Sequence, residues 1–141
     1  MRYRALGRAA VLLLTCLLAA GCGMQGTPLA NQGITLLRYG HLEAFPAALV
    51  TGQLTLANGC VSLADDGGRP VTALWPPDSR FASSTDATKL IIQGRALTEG
   101  DRVSMGGGEY TDRAFVESLV GTIPESCQGD RYWLVHDFAG A

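Results

Sequence analysis

The chain has 141 residues, 47% of them hydrophobic, with 11 Lys+Arg against 13 Asp+Glu. That length admits one domain and leaves no room for separate catalytic and substrate lobes. The near-even charge excludes a strongly basic nucleic-acid binder, and the apolar content excludes a disordered polar chain. In chain order, residues 1–21 read as an export signal rather than as fold. Arg2, Arg4 and Arg8 make a basic start, and the twelve residues Ala9–Ala20 form an apolar run interrupted by Thr15. Twelve helical residues cover about 18 Å, short of the about 30 Å of a hydrocarbon core. The basic flank, the short span and the small residues at the exit are those of a secretory signal peptide. Its removal takes three arginines and no acid, leaving 8 basic and 13 acidic groups and a net charge of −5.

Residues 22–33 come next as a flexible tether, rich in Gly and Gln with Pro28 and no apolar period. Residues 34–141 are expected to form a single β domain. Ile34–Tyr39 suits an edge strand, and Pro46 punctuates the chain before the first clear strand pattern. The strongest local signal is a hairpin: Val50–Ala57 alternates, Asn58-Gly59 supplies a two-residue type I′ turn, and Cys60–Ala64 returns. A two-residue loop opposes Leu56 to Val61 and Leu54 to Leu63, which puts these apolar residues on one face and Cys60 on the other. Val71–Trp75 is a short strand ended by Pro76-Pro77, and Asp78–Thr88 reads as loop. Leu90–Gln93 reads as a core strand, Gly100-Asp101 as a turn, and Arg102–Met105 as a strand that Gly106-Gly107-Gly108 bends. Asp112–Val120 is the helical candidate, with Thr111 or Asp112 as cap, Gly121 as stop and Ala114, Phe115, Leu119 and Val120 on one face. Tyr132–His136 is the last strand. The expected fold is all-β, a small five- to six-stranded OB-like barrel with at most one short helix; the alternative is a small β-sandwich.

Leu18-Ala19-Ala20-Gly21-Cys22 resembles the lipobox of bacterial lipoproteins, although that family more often carries Leu where this chain has Ala19. The resemblance implies cleavage before Cys22 and acylation of its thiol. Two acyl chains give stable anchoring where one gives only marginal binding. The implied location is the exported side of a cell membrane. Gly23 resembles the pattern of lipoproteins sent to the outer membrane where a cell has two. Cys16 leaves with the signal, so Cys60 and Cys127 remain as a pair on the oxidising side, where a disulfide is the default. Gly52-x-Leu54 with Gly59-Cys60, Trp75-Pro76, Gly100-Asp101-x-Val103 with Gly106-Gly107, and Cys127 with Trp133-x-Val135 loosely resemble small secreted or lipid-anchored bacterial β domains that carry no assigned activity.

Ser104 and His136 are the nucleophile and base of a small-hydrolase alternative. Ser104 lacks the glycine that opens a G-x-S-x-G elbow, and strand alternation turns Asp137 away from His136. No catalytic residue, cofactor or metal ligand set is assigned; Asp65-Asp66-Gly67-Gly68 reads as a turn rather than a calcium loop. Trp75, Trp133, Tyr110 and Arg131 make up the candidate surface for an envelope protein or glycan partner, with core packing as the competing role of both tryptophans. The net charge of −5 and the single Lys89 argue against nucleic acid. The expectation is a lipid-anchored, non-catalytic binding or accessory module, with a small hydrolase or a purely structural lipoprotein as alternatives.

Overall fold

The computed structural model describes residues 25–139; the expected export signal and Cys22 lie outside them. The described residues are mostly β, with one short helix. The strands are β1 (Leu29–Asn31), β2 (Ile34–Leu36), β3 (Ala48–Thr55), β4 (Ser62–Asp65), β5 (Pro70–Leu74), β6 (Arg80–Ser83), β7 (Asp86–Ile92), β8 (Arg95–Thr98), β9 (Arg102–Tyr110) and β10 (Tyr132–Phe138), and the helix is α1 (Arg113–Val120).

The hairpin sets the register. Leu54 opposes Leu63 and Gly52 opposes Asp65, as a two-residue loop requires. Asn58 (φ 62°) and Gly59 (φ 80°) both take left-handed conformations, and Cys60 N–H closes the turn on the Ala57 carbonyl. Beyond this hairpin the pairings run in a closed cycle. β3 and β4 are antiparallel, as are β4 and β5; β5 runs parallel to β10, β10 antiparallel to β9, and β9 antiparallel to β3. The parallel closure joins Thr72 to Tyr132 and Leu74 to Leu134.

Strand alternation sorts side chains between two cores. Val50, Leu54, Leu63, Val71, Val103, Met105, Trp133 and Val135 belong to one buried cluster. The antiparallel sheet β6–β7–β8 adds Phe81, Leu90, Ile92 and Leu97 to the same cluster. The opposite face carries a second cluster in which Cys60, Leu74, Tyr132 and Leu134 meet Val116 and Val120 of α1, Ile123 and Cys127. This is the cover that an outward-facing Cys60 demands, and the Cys60–Cys127 disulfide fastens it, with Cα atoms 5.1 Å apart. Closing a loop across a sequence separation of 67 is worth roughly 4 kcal/mol in the chain-entropy account.

Several sequence expectations need correction. The described part of the tether is docked rather than free. Gly26 N–H donates to the Leu119 carbonyl, the Gln25 amide donates to the Glu117 carbonyl, and Leu29–Asn31 pairs with Ile34–Leu36 through a Gln32-Gly33 turn. The Asp78–Thr88 loop contains β6 and the start of β7, while β8 completes that sheet. Helix α1 has the expected cap, Asp112 accepting from Phe115 N–H, and stops at Gly121. Its buried face is Val116 and Val120; Ala114 and Phe115 are exposed, and the Phe115 ring lies on Tyr110, centroids 5.0 Å apart.

The glycine run is part of β9 rather than its end. Gly107 sits at φ 148°, and a Cβ there would lie 1.7 Å from the Leu134 carbonyl oxygen. Only glycine lets β10 approach this closely. Opposite the run, the β9–β10 register slips between Val135 and Asp137, leaving His136 as the extra residue of a bulge.

Candidate functional site

The β9–β10 ladder carries a polar group near each end. At the Tyr110–Tyr132 end, Arg131 sits just before β10 and points its guanidinium at two carboxylates. Nε and Nη2 donate to Glu109 at 2.9 and 3.1 Å, and Nη1 donates to Asp65 at 2.9 Å. The same Asp65 accepts the Gly67 and Arg69 backbone N–H groups at 3.0 and 2.9 Å and lies 3.2 Å from the Arg69 guanidinium. The Arg69 amide first, and then the Arg131 guanidinium, hold the Asp65 carboxyl below the ordinary carboxylate range, at about 2. Arg131 lowers Glu109 as well.

Beside this network lies a cleft of about 410 Å³, above the disulfide, lined by Asn58, Cys60, Ser126, Gln128, Arg69 and Arg131. Its volume falls within the about 300 to 1,000 Å³ of small-ligand pockets. The turn at Asn58, strands β4 and β5, and the segment between α1 and β10 all contribute to its walls. The cleft offers hydroxyls, amides and the Asp130 carboxylate, which joins no ion pair among the described residues, whereas its arginines are already engaged by carboxylates.

At the other end of the ladder the bulge exposes both His136 and Asp137. Strand alternation predicts that these neighbours point apart; the extra residue cancels that alternation, and both line one cleft of about 320 Å³ with Tyr39, His41, Phe45 and Asp78. The His136 ring stacks on Phe45 at 3.9 Å, nearly parallel. Phe45 meets Tyr39 edge-on at 5.9 Å, and the Tyr39 hydroxyl donates to the Val135 carbonyl at 2.8 Å.

The sequence candidates fall in different parts of the fold. Trp75 and Trp133 are buried, so neither offers a face to a partner, and the Trp75 indole N–H donates to the Val61 carbonyl. Of the four candidate surface residues, Tyr110 and Arg131 remain partly accessible. The Ser104 hydroxyl pairs with Thr51 at 2.8 Å, and His136 is engaged with Phe45. No hydrogen bond among the described residues joins Ser104 to His136. Cys22 lies outside the described residues. Asp65, Glu109, Phe45 and Asp78 are the site residues that sequence reasoning missed. Asp65 lies 66 residues from Arg131, and no local pattern announces such a pair.

No described helix is long and apolar enough to cross a membrane. Among the described residues no group of three or more His, Cys, Asp or Glu is placed to hold a metal ion. No family model matches the chain, and neither a curated protein nor a solved structure matches it.

Proposed function

We propose that the protein is a lipid-anchored component of the bacterial cell envelope whose folded part is an OB-like barrel acting as a non-catalytic binding module. The observation that carries the anchor is the run Leu18-Ala19-Ala20-Gly21-Cys22 behind a basic, short apolar segment. A disulfide within the domain accords with an oxidising, exported location. The OB-like reading is supported by the cyclic order β3–β4–β5–β10–β9 with its parallel β5–β10 closure. Strands β6–β8 are an insertion in the chain between β5 and β9. OB-folds bind along their second and third strands and the loops that flank them. Here those elements are β4, β5, the Asn58 turn and the segment ahead of β10, the walls of the 410 Å³ cleft. This cleft is the proposed binding surface, and Arg131 contributes to it as a rigid wall rather than a free charge.

Three measurements test the reading. Intact mass and fractionation of the cellular protein should give a diacylated Cys22 in the membrane fraction and soluble or unprocessed protein for Cys22→Ala; a membrane-free, unacylated wild type would refute the anchor. Photocrosslinkers at Asn58 and Gln128, compared with one at Gly68 outside the cleft, should capture one specific envelope component from the cleft positions alone. Hydrolysis of ester or glycan substrates that vanishes in Ser104→Ala would replace the binding reading with the hydrolase.

A further inference from the structure

We propose that the cleft walled by Tyr39, Phe45 and His136 and edged by Asp78 and Asp137 binds an organic cation, the guanidinium or ammonium group of a basic side chain or of a small amine. The inference concerns the folded domain, goes beyond the anchored-module reading, and holds whether or not Cys22 is acylated. Carboxylates alone would mark only a solvated surface. Here they stand over an aromatic wall inside a concavity, and that combination selects cations.

The wall is fixed before any ligand arrives. Phe45 and His136 stack at 3.9 Å with 13° between their planes, Tyr39 abuts Phe45, and the Val135 carbonyl holds the Tyr39 hydroxyl. The Gln93 amide donates to the His136 carbonyl at 2.6 Å and steadies the bulge. The stack covers one face each of Phe45 and His136, and Tyr39 is buried, so a cation reaches this wall by the outer faces of the stacked pair. Ring faces attract a desolvated cation through their quadrupole, and rings already held in place lose little freedom on binding. The molecule uses the same contact elsewhere, with the Arg95 guanidinium 4.4 Å above the Phe138 ring.

The ionisable groups of the cleft are the Asp78 and Asp137 carboxylates, the Tyr39 phenol and the His41 and His136 imidazoles. Asp78 and Asp137 line the cleft, and Glu43 lines the adjoining one, which shares Phe45, His136 and Asp137. No lysine or arginine lines either cleft, and none of these three carboxylates takes part in an ion pair among the described residues. Burial, and after it the carboxylates of Asp78 and Asp137, raise the Tyr39 phenol above its ordinary range, so both acids bear on one point of the wall. An unneutralised field focused by low-dielectric walls draws cations in and shapes their approach. A metal ion is disfavoured by the donor set, since no three ligating groups converge among the described residues; an extended cation with an apolar or planar body uses both the rings and the acids.

The test is calorimetric titration of the full chain in a neutral detergent with three probes: a glycine–arginine repeat peptide, N-acetylargininamide and putrescine. Amide NMR of the same samples locates the effect. Saturable binding with shifts at Phe45, Gln93 and His136 is expected, weakened about three- to tenfold by Asp78→Asn, by Asp137→Asn or by Phe45→Leu. Asp66→Asn, outside both clefts, should leave it unchanged. A peptide that binds more tightly than the single-cation probes assigns a basic protein segment as the natural occupant; equal affinities assign a free amine. The two Asp→Asn changes are at exposed positions, and circular dichroism checks the fold of the Phe45 variant. Absence of saturation with all three probes overturns the proposal, as do shifts that track Asp65 and Asp66 instead or affinities that the cleft variants leave unaltered.

Discussion

The two ends of the β9–β10 ladder carry carboxylates in opposite circumstances. Near Arg131, Asp65 and Glu109 both meet that arginine, and Asp65 meets Arg69 as well. Near His136, Asp78, Asp137 and Glu43 meet none among the described residues. The first group is tied into the fold: the Asp65 side chain is 11% exposed and bridges the β4–β5 turn to the start of β10. The second group is surface charge on an aromatic wall. Acidic residues of the same type thus hold strands together at one end and remain available to a ligand at the other. What separates them is whether the topology delivers an arginine.

The most severe way to break this contrast is to break the ladder that carries both ends. Gly107→Ala places a methyl against the Leu134 carbonyl at a φ that suits glycine. It should cost about 3 kcal/mol or more in urea unfolding and disturb the NMR signals of Arg131 and His136 together. Loss of the disulfide comes next and acts on one face. Cys60→Ser with Cys127→Ser should lower stability by roughly 4 kcal/mol, and a reductant should destabilise wild type while leaving this variant unmoved. Arg131→Ala is a smaller and more local change. It takes from Glu109 its arginine and from Asp65 one of two, Arg69 remaining, and should cost about 1 to 2 kcal/mol, with Arg131→Lys restoring only part because the two-pronged contact to Glu109 is lost.

Acid titration separates the ends with the least perturbation. Asp65 is held at about 2 in the fold against an ordinary 3.8. A depressed carboxyl stabilises the native state above its unfolded value, and that contribution is lost as pH falls through the folded one. Wild-type melting temperature should therefore fall between about pH 4 and pH 2. Asp65→Asn should start lower and fall less across the same window.

Local patterning made the Asn58-Gly59 hairpin, the outward Cys60 and the capped helix legible in the sequence, because each is settled by neighbours a few residues apart. Leu90–Gln93 was legible as the end of β7, but β6 and β8 escaped for a physical reason. Of Arg80–Ser83 only Phe81 is buried, and of Arg95–Thr98 only Leu97, so neither strand shows an alternation. The helix face was shifted because Phe115, the largest apolar residue of α1, packs sideways on Tyr110 and leaves Val116 and Val120 to the core. Neither charged end was visible. The Arg131–Asp65 contact and the approach of Phe45 to His136 join residues 66 and 91 positions apart, and the bulge that exposes His136 depends on a partner strand.

The central contrast is tested most directly by neutralising one end at a time and measuring thermal unfolding at neutral pH. The account predicts that Asp65→Asn lowers the melting temperature, whereas Asp78→Asn combined with Asp137→Asn leaves it unchanged or raises it by relieving like-charge repulsion. A destabilised double variant beside a neutral Asp65→Asn would contradict the account, because the acids without an arginine would then be the ones holding the fold.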